Sequence, residues 1–338
     1  MSGSHRITKH TVLSSGLHDA DIRPPALLNE FKRLSLRDAA HFLGDPSTWH
    51  PVPCTACGQD APTPAFVKEG FPYTQCGHCD SLYLNPRPRT DAVTRYYAES
   101  EASRYRVAQF SEASAPQRRI HLARSRASWI AQVADMHLEL EEPAYGDWKP
   151  YSAAILEEVS EQGRFGACIG IEPLVPLDGV AGATSPETLP RLDVISAFEK
   201  LEHQSAPEQF LHRLSEQLNP GGLLFLTTRT CSGFDLQVLW DKAPYIFVPE
   251  HMNLLSIEGL ELLLQRCGLE LIELSTPGQL DVELVLQALA ADPSVVLPPF
   301  AKPLLTQRGP LAHQDFQAFL QKHRLSSHVR LVARRPKP

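Results

Sequence analysis

Residues 192–228, LDVISAFEKLEHQSAPEQFLHRLSEQLNPGGLLFLTT, contain the pattern from which the fold class follows. Leu192–Phe198 and Leu223–Thr228 are short apolar runs of strand length, whereas Pro207–Leu218 repeats its apolar residues at helical spacing. Asn219–Gly222 supplies a Pro-Gly-Gly turn before the second run. A strand, a helix and a strand in this order predict a parallel β-α-β unit.

Further elements of the same kind lie on both sides of this unit. Phe165–Glu172 and Leu269–Leu274 are predicted strands, and Ile257–Cys267 is a predicted amphipathic helix that stops at Gly268. Strands that alternate with helices predict an α/β domain with a mostly parallel sheet covered on both faces. In such sheets, ligands bind beyond the carboxyl ends of the strands.

Four of the seven cysteines form two Cys-x2-Cys pairs, Cys54 with Cys57 and Cys76 with Cys79. A two-residue gap directs two thiolates at one ion, and the second pair completes a tetrahedron with no open position. The spacing therefore predicts an N-terminal zinc ribbon with a structural role. Two disulfides or four unrelated core cysteines remain as alternatives.

The composition limits the classes of partner. The net charge is −7 and no long Lys/Arg tract is present, which argues against nucleic acid as a partner. No apolar run approaches the roughly 18 residues that a transmembrane helix needs, and the start lacks the apolar core of a signal peptide. We therefore expect a cytoplasmic protein without a membrane partner, in which reduced thiols are available for zinc.

Acidic and histidine residues follow several of the predicted strands. Glu172 closes one strand, and Glu202 and His203 follow the strand Leu192–Phe198. A second Glu-His pair, Glu250 and His251, comes after a segment rich in aromatic residues. Two such pairs at one predicted sheet edge indicate a functional site.

Three segments resemble a known family: Leu192–His203, Leu218–Thr228 and Pro249–Ser256. Together with the four cysteines, they resemble class I S-adenosylmethionine-dependent methyltransferases, within the group that has an N-terminal zinc ribbon and includes sugar C-methyltransferases. The resemblance covers roughly residues 50–335. It implies a Rossmann-like domain, zinc and S-adenosylmethionine as cofactors, and a small polar acceptor, either a sugar or a sugar-derived metabolite.

The same resemblance implies the catalytic roles. His251 would act as the general base on the acceptor, and Glu250 would orient it. His203 would lie across the cleft and support the acceptor oxygen. The choice of histidine is chemically sensible, because its ordinary pKa lies close to neutral pH.

The cofactor side departs from the family pattern. The first strand of the family ends in an acidic residue followed by Gly-x-Gly, but here Asp147 is followed by Trp-Lys-Pro-Tyr. The resemblance still implies that Asp147 contacts the cofactor, that Glu172 holds its ribose and that Lys149 meets its methionine carboxylate. Residues 173–192 are short and rich in proline, which predicts a reduced adenine side.

Two functions therefore stay open. The first is methyl transfer to a small polar acceptor by an enzyme with an unusual cofactor loop. The second is a catalytically silent relative that binds a sugar-like ligand or a partner protein.

The predicted organisation has five regions. They are a leader with short helices (1–50), the zinc ribbon (51–90), a helical connector (91–142), the Rossmann-like methyltransferase-type domain (143–290) and a C-terminal extension (291–338).

Overall fold

The computed structural model describes residue 13 and residues 16–177, 181–183 and 189–338. The strands in this part of the chain are β1 (Pro62–Lys68), β2 (Phe71–Cys76), β3 (Leu82–Leu84), β4 (Ala144–Trp148), β5 (Ala167–Ile171), β6 (Ala181–Ala183), β7 (Leu192–Phe198), β8 (Leu218–Arg229), β9 (Asn253–Leu254), β10 (Glu270–Ser275) and β11 (His328–Arg334). The α-helices are α1 (Asp19–Ile22), α2 (Pro25–Leu43), α3 (Thr90–Glu99), α4 (Glu101–Tyr105), α5 (Glu112–Arg118), α6 (Arg124–His137), α7 (Ala154–Ser160), α8 (Pro207–Gln217), α9 (Phe234–Leu239), α10 (Ile257–Arg266), α11 (Asp281–Ala291), α12 (Ala301–Gln307) and α13 (Pro310–Lys322).

The main sheet has seven strands in the order β10-β11-β8-β7-β4-β5-β6. The pairs from β8 to β6 are parallel, whereas β11 runs antiparallel to both of its neighbours. The parallel strands carry near-continuous apolar runs because helices cover both faces. This is the seven-stranded, mostly parallel sheet typical of the methyltransferase Rossmann fold, so the predicted fold class is confirmed.

The two faces of the sheet are covered by different helices. One face packs against α8 and α10, and the fully buried Phe210 of α8 lies in that core. The other face packs against α6 and α7, around Tyr145, Phe225 and Trp129. Burying a side chain of this size contributes about 1.5–3 kcal/mol relative to exposure, which explains why the apolar spacing in the sequence predicts these elements.

A long helical segment connects the ribbon to the sheet. Two π-helical stretches, Arg106–Ser111 and Arg119–Ala123, join α4, α5 and α6 without a break. The segment brings several arginines over the carboxyl ends of the central strands. π-Helical turns of this kind are often found at functional sites.

The second sheet is small and antiparallel, in the order β1-β2-β3-β9. Its first three strands belong to the predicted ribbon, but β9 comes from the loop that follows Glu250 and His251. The ribbon is therefore joined to the main domain by strand pairing and does not form a separate module.

The sequence placed several elements well. The predicted strands Leu192–Phe198 and Phe165–Glu172 correspond to β7 and β5, and the predicted helix Ile257–Cys267 corresponds to α10. The predicted C-terminal extension, however, supplies β11, which lies inside the main sheet. The expectation of a reduced adenine side concerns residues 173–192, of which 178–180 and 184–188 lie outside the described residues, as do 1–12, 14 and 15 of the predicted leader.

Within the described part of the chain, every helix is too short or too polar to cross a lipid bilayer.

Candidate active site

The four cysteines form one buried cluster. The Sγ atoms of Cys54 and Cys79 lie 3.6 Å apart, as do those of Cys57 and Cys76, and all four lie within 4.8 Å of one another. A disulfide bond would be about 2.05 Å long, so these cysteines are not joined in pairs. Four thiolates bound to one ion at about 2.3 Å would lie about 3.8 Å apart. The cluster is therefore compatible with zinc.

The ribbon fixes the backbone around His251. The Tyr73 hydroxyl donates a hydrogen bond of 2.6 Å to the carbonyl of His251, and the Leu84 N–H donates one of 3.0 Å to the carbonyl of Met252. Two residues after His251, Asn253 pairs with Tyr83 between β9 and β3. The folded ribbon therefore holds the backbone that carries Glu250 and His251.

A cavity of about 160 Å³ lies over the carboxyl ends of β7 and β8. We call it the histidine cavity, because His203 and His251 face it with ring centroids 5.3 Å apart. Side-chain atoms of Glu202, His203 and His251 come within 4.8 Å of one another there. The N-terminal helices α1 and α2 close one side of the cavity with Ile22, Arg23, Leu28 and Phe31.

The hydrogen bonds indicate different tautomers for the two histidines. Nδ1 of His203 lies 3.0 Å from the carbonyl oxygen of Glu250, which can only accept, so Nδ1 carries the proton and Nε2 keeps its lone pair. Nδ1 of His251 instead accepts the N–H of Phe247 at 3.2 Å, so the neutral ring carries its proton on Nε2. Burial, reinforced by Arg106, lowers the pKa of both rings well below the usual range, and both are therefore neutral at pH 7.

Two buried carboxyl groups support these rings. Glu250 pairs with Arg106 of the long helical segment, and burial raises the pKa of this carboxyl although Arg106 opposes the shift. Glu202 accepts a hydrogen bond of 2.9 Å from the Thr228 hydroxyl, and burial raises its pKa to about 7. Glu202 can therefore exchange a proton near neutral pH.

Glu202, His203 and His251 have the donor atoms of a metal site, but their surroundings disfavour a cation. A metal-bound histidine normally donates from its second nitrogen, whereas Nδ1 of His251 accepts. Several guanidinium groups, including those of Arg106 and Arg229, also line the cavity. The arrangement suits a polar organic molecule better than a metal ion.

A second cavity of about 110 Å³ lies at the carboxyl end of β4, and we call it the β4 cleft. It is lined by residues 147–152 and 154–155, by residues 198–200 and by residues of the long helical segment. Asp147 is buried here and accepts a hydrogen bond from the Ser196 hydroxyl. Burial raises the pKa of Asp147 to about 6.

Lys149 and Glu172 form an ion pair at this edge of the sheet. Nζ of Lys149 lies 3.2 Å from the Glu172 carboxylate, and the Lys149 side chain is 43% exposed. Lys149, Glu172 and Glu199 have positive φ values of 50°, 47° and 54°, at the carboxyl ends of β4, β5 and β7. Non-glycine residues in this region are strained by about 1–2 kcal/mol each, and such strain clusters at functional sites.

The implied S-adenosylmethionine fits the chemistry of this edge with one obstacle. Lys149 has a left-handed backbone, which glycine adopts more readily, and Glu172 lies at the carboxyl end of β5, where the family resemblance implies the ribose contact. The obstacle is the Lys149 side chain, which forms an ion pair with the Glu172 carboxylate. Because the side chain is partly exposed, it can rotate into solvent without opening the core.

The two cavities meet at shared residues. Arg118, Leu122, Arg126 and Glu199 line both of them. Arg118 and Arg126 both pair with the Glu199 carboxylate. A group bound in the β4 cleft and a group bound in the histidine cavity would therefore approach each other at Glu199.

The structure brings together His203, Glu250 and His251, which the sequence proposed as catalytic. Asp147, Lys149 and Glu172 lie near one another at the neighbouring strand ends, and the roles assigned to both sets stay predictions. Sequence reasoning gave no role to Arg106 or Arg126. Arginines at helical spacing resemble a solvated face, and only the packing of the long helical segment shows that they enter the site.

The sequence matches the family described as "Methyltransferase domain" over residues 87–274. The structure is similar to the plantazolicin methyltransferase BamL (10% identity, 72% of this chain and 94% of that chain, TM-score 0.43). It is also similar to a putative sarcosine dimethylglycine methyltransferase from Galdieria sulphuraria (16%, 68% and 90%, 0.38) and to coclaurine N-methyltransferase (15%, 62% and 72%, 0.38). A comparison with curated proteins gives no match. The family match spans more than half of the chain, so the protein belongs to the methyltransferase domain family and carries a domain of the S-adenosylmethionine-dependent type.

Proposed function

We propose that the protein transfers a methyl group from S-adenosylmethionine to a small polar acceptor, a sugar or a sugar-derived metabolite, bound in the histidine cavity. The observation that carries this proposal is the junction of the two cavities at Glu199 and Arg126. At this junction, a methyl donor bound at β4 would lie next to an acceptor bound near His203. Group transfer requires that the two reactants lie next to each other.

His203 is the better placed proton acceptor of the two histidines. Its Nδ1–H is held by the Glu250 carbonyl, so the Nε2 lone pair is available to the acceptor. His251 presents Nε2–H and can donate to an acceptor oxygen. The two roles are thus the reverse of those that the family resemblance implies, where His251 is the base and His203 the support.

Glu250 and Arg106 position these rings. The Glu250 carboxylate is 1% exposed, and its Oε2 lies 3.9 Å from Nδ1 of His203. Its pairing with Arg106 anchors the long helical segment over the cavity. The neighbouring Glu202, with a pKa of about 7, can receive a proton from the site or return one to it.

The cofactor, when bound, supplies an electrophilic methyl group on a sulfonium centre. Glu172 would hold its ribose hydroxyls and Asp147 would support the loop beneath it, once the Lys149 side chain has left Glu172. We also propose that the four cysteines bind one structural zinc ion, which keeps the ribbon folded beneath His251.

The polar lining of the histidine cavity favours a hydroxyl-rich acceptor. Neutral imidazoles, the Glu202 carboxyl and several guanidinium groups offer both donors and acceptors of hydrogen bonds. Apolar contacts come from residues such as Phe31 and Phe247. Sugars combine polar edges with apolar faces and match such a mixed surface.

A second function is favoured by one observation, the ion pair between Lys149 and Glu172. If Lys149 keeps its position, the β4 cleft stays closed to the cofactor. The protein would then bind a sugar-like ligand or a partner protein without turnover.

Calorimetric titration of zinc-loaded protein with S-adenosylmethionine and with S-adenosylhomocysteine separates the two functions. Micromolar binding supports the enzyme, and release of S-adenosylhomocysteine in the presence of a panel of ketosugars then tests methyl transfer. The absence of binding by folded, zinc-loaded protein would contradict the enzyme and leave the silent ligand-binding function.

A further inference from the structure

Arginine dominates the charged lining of the histidine cavity. It is lined by Arg23, Arg106, Arg118, Arg126, Arg229 and Arg330, together with the carboxyl groups of Glu199, Glu202 and Asp281. Five of them pair with carboxylates: Arg23 with Asp19, Arg106 with Glu250, Arg118 and Arg126 with Glu199, and Arg229 with Asp235. Burying a guanidinium group without such an ion pair is costly, so Arg330 is the arginine whose place in the cavity wall needs an explanation.

Two of these arginines, Arg118 and Arg126, lie at the junction with the β4 cleft, and Arg330 lies close enough to Arg126 to feel its charge. Arg118 and Arg126 share the single carboxylate of Glu199, at 3.4 Å in the case of Arg118. Arg330 of β11 is 6% exposed and donates to the Ser125 hydroxyl at 2.9 Å. Two guanidinium groups on one carboxylate leave a positive charge beside Arg330.

Arg330 is not fully satisfied by the protein. Within the described residues, its buried Nε has no hydrogen-bond partner. Its guanidinium lies 5.3 Å from the ring centre of Trp129, which fixes the side chain in the cavity wall. Glu273 lies close enough to attract it, but burial and Arg126 outweigh this attraction and lower the pKa of Arg330 to about 10. Because Arg330 also lines the histidine cavity, its guanidinium group can meet an oxyanion bound there.

We propose that Arg118, Arg126 and Arg330 form an oxyanion site, and that the acceptor carries a carboxylate or phosphate group close to the atom that is methylated. The inference deepens the proposed function, because it names the acceptor class of the same cavity. We place the oxyanion site near the methylated atom because Glu199, which pairs with Arg118 and Arg126, lines both cavities.

The experiment compares charged and neutral sugars by calorimetry on full-length, zinc-loaded protein without cofactor. The probes are inorganic phosphate, glucuronate, glucose 6-phosphate and glucose. We expect the anions to bind at least tenfold tighter than glucose, and Arg330→Gln to weaken them at least tenfold. Arg334→Gln is the matched control, since Arg334 lies on the same strand but pairs with Glu270 outside the cavity.

A second variant guards against misfolding of Arg330→Gln. Arg118→Gln changes a side chain that is 32% exposed on the helical segment, and we expect it to weaken the same anions severalfold. Equal affinity for the anions and glucose, or equal affinity of Arg118→Gln, Arg330→Gln and Arg334→Gln, would overturn the inference.

Titration in the presence of S-adenosylhomocysteine identifies the source of the anion. If S-adenosylhomocysteine displaces phosphate, the site holds the cofactor carboxylate, which would overturn the assignment to the acceptor. Anion binding without any methyl transfer would contradict the proposed function alone. Methyl transfer to neutral sugars with no effect of Arg330→Gln would contradict this inference alone.

Discussion

The histidine cavity and the β4 cleft lie side by side but are built differently. At the histidine cavity, Glu250 and His251 are buried and the His203 side chain is 9% exposed. Hydrogen bonds link these residues to backbone that the ribbon also holds. In the β4 cleft, a partly exposed lysine pairs with Glu172 on strained backbone. The difference indicates that the proposed acceptor side is held in place, while the proposed donor side would have to rearrange before it binds a cofactor.

The largest effect is expected from loss of zinc. A structural zinc ion contributes about 10–16 kcal/mol in small zinc domains, so Cys76→Ser should unfold the ribbon and disorder the loop at His251. We expect about one zinc ion per chain in the native protein by elemental analysis, and turnover should be lost together with the metal. Cys168→Ser, which lies on β5 away from the cluster, should keep both. Zinc-free native protein with a normal melting temperature would contradict this prediction.

The next largest effect tests the acceptor side. His203→Ala should lower turnover by about 10²–10⁴-fold, since it removes the proposed proton acceptor, and His251→Ala should lower it by a smaller factor. The exposed His212→Ala serves as the control. Binding of S-adenosylhomocysteine should be unchanged in all three variants. If His251→Ala is the more damaging change, the base is His251, as the family resemblance implies.

A third prediction concerns the pH dependence of stability. The pKa of Glu202 is raised from 4.5 to about 7, so the folded state favours the protonated carboxyl. This favourable contribution is present below about pH 4.5 and is lost as the pH rises through 7. At pH 8, the free energy of unfolding of Glu202→Gln should therefore be higher than that of the native chain. The advantage of the variant over the native chain should grow by up to about 3 kcal/mol between pH 4 and pH 8.

Urea unfolding at pH 4 and pH 8 measures this difference. The amide that Glu202→Gln introduces can still accept the hydrogen bond from Thr228. Glu216→Gln, on the exposed face of α8, should show no such dependence on pH. A pH-independent effect of Glu202→Gln would mean that Glu202 ionises normally in the folded protein.

The smallest effect is expected on the donor side. Lys149→Gly removes the ion pair with Glu172 and relieves the positive φ, so affinity for S-adenosylhomocysteine should rise. Exposed ion pairs contribute about 0–1 kcal/mol, which corresponds to an increase of up to about fivefold. Lys149→Met separates the two causes, because it removes the charge but keeps the side chain and the strain. Weaker binding by both variants would show that Lys149 contacts the cofactor.

The α/β architecture and the cysteine cluster could be predicted from the sequence alone. Apolar periodicity reports on burial directly, so β7, α8 and α10 follow from local residues. The Cys-x2-Cys spacing is likewise a local geometric requirement. The two Glu-His pairs were also visible, because they directly follow elements that the pattern predicts.

How these parts combine depends on the tertiary structure. The pairing of β3 with β9, the place of β11 between β8 and β10, and the entry of Arg106 and Arg126 into the cavities all join residues far apart in the chain. Likewise, Lys149 reads as an ordinary surface lysine until Glu172 is placed beside it. Charges and hydrogen bonds act through space, so the sequence identified the proposed catalytic residue types while the fold set their partners and protonation.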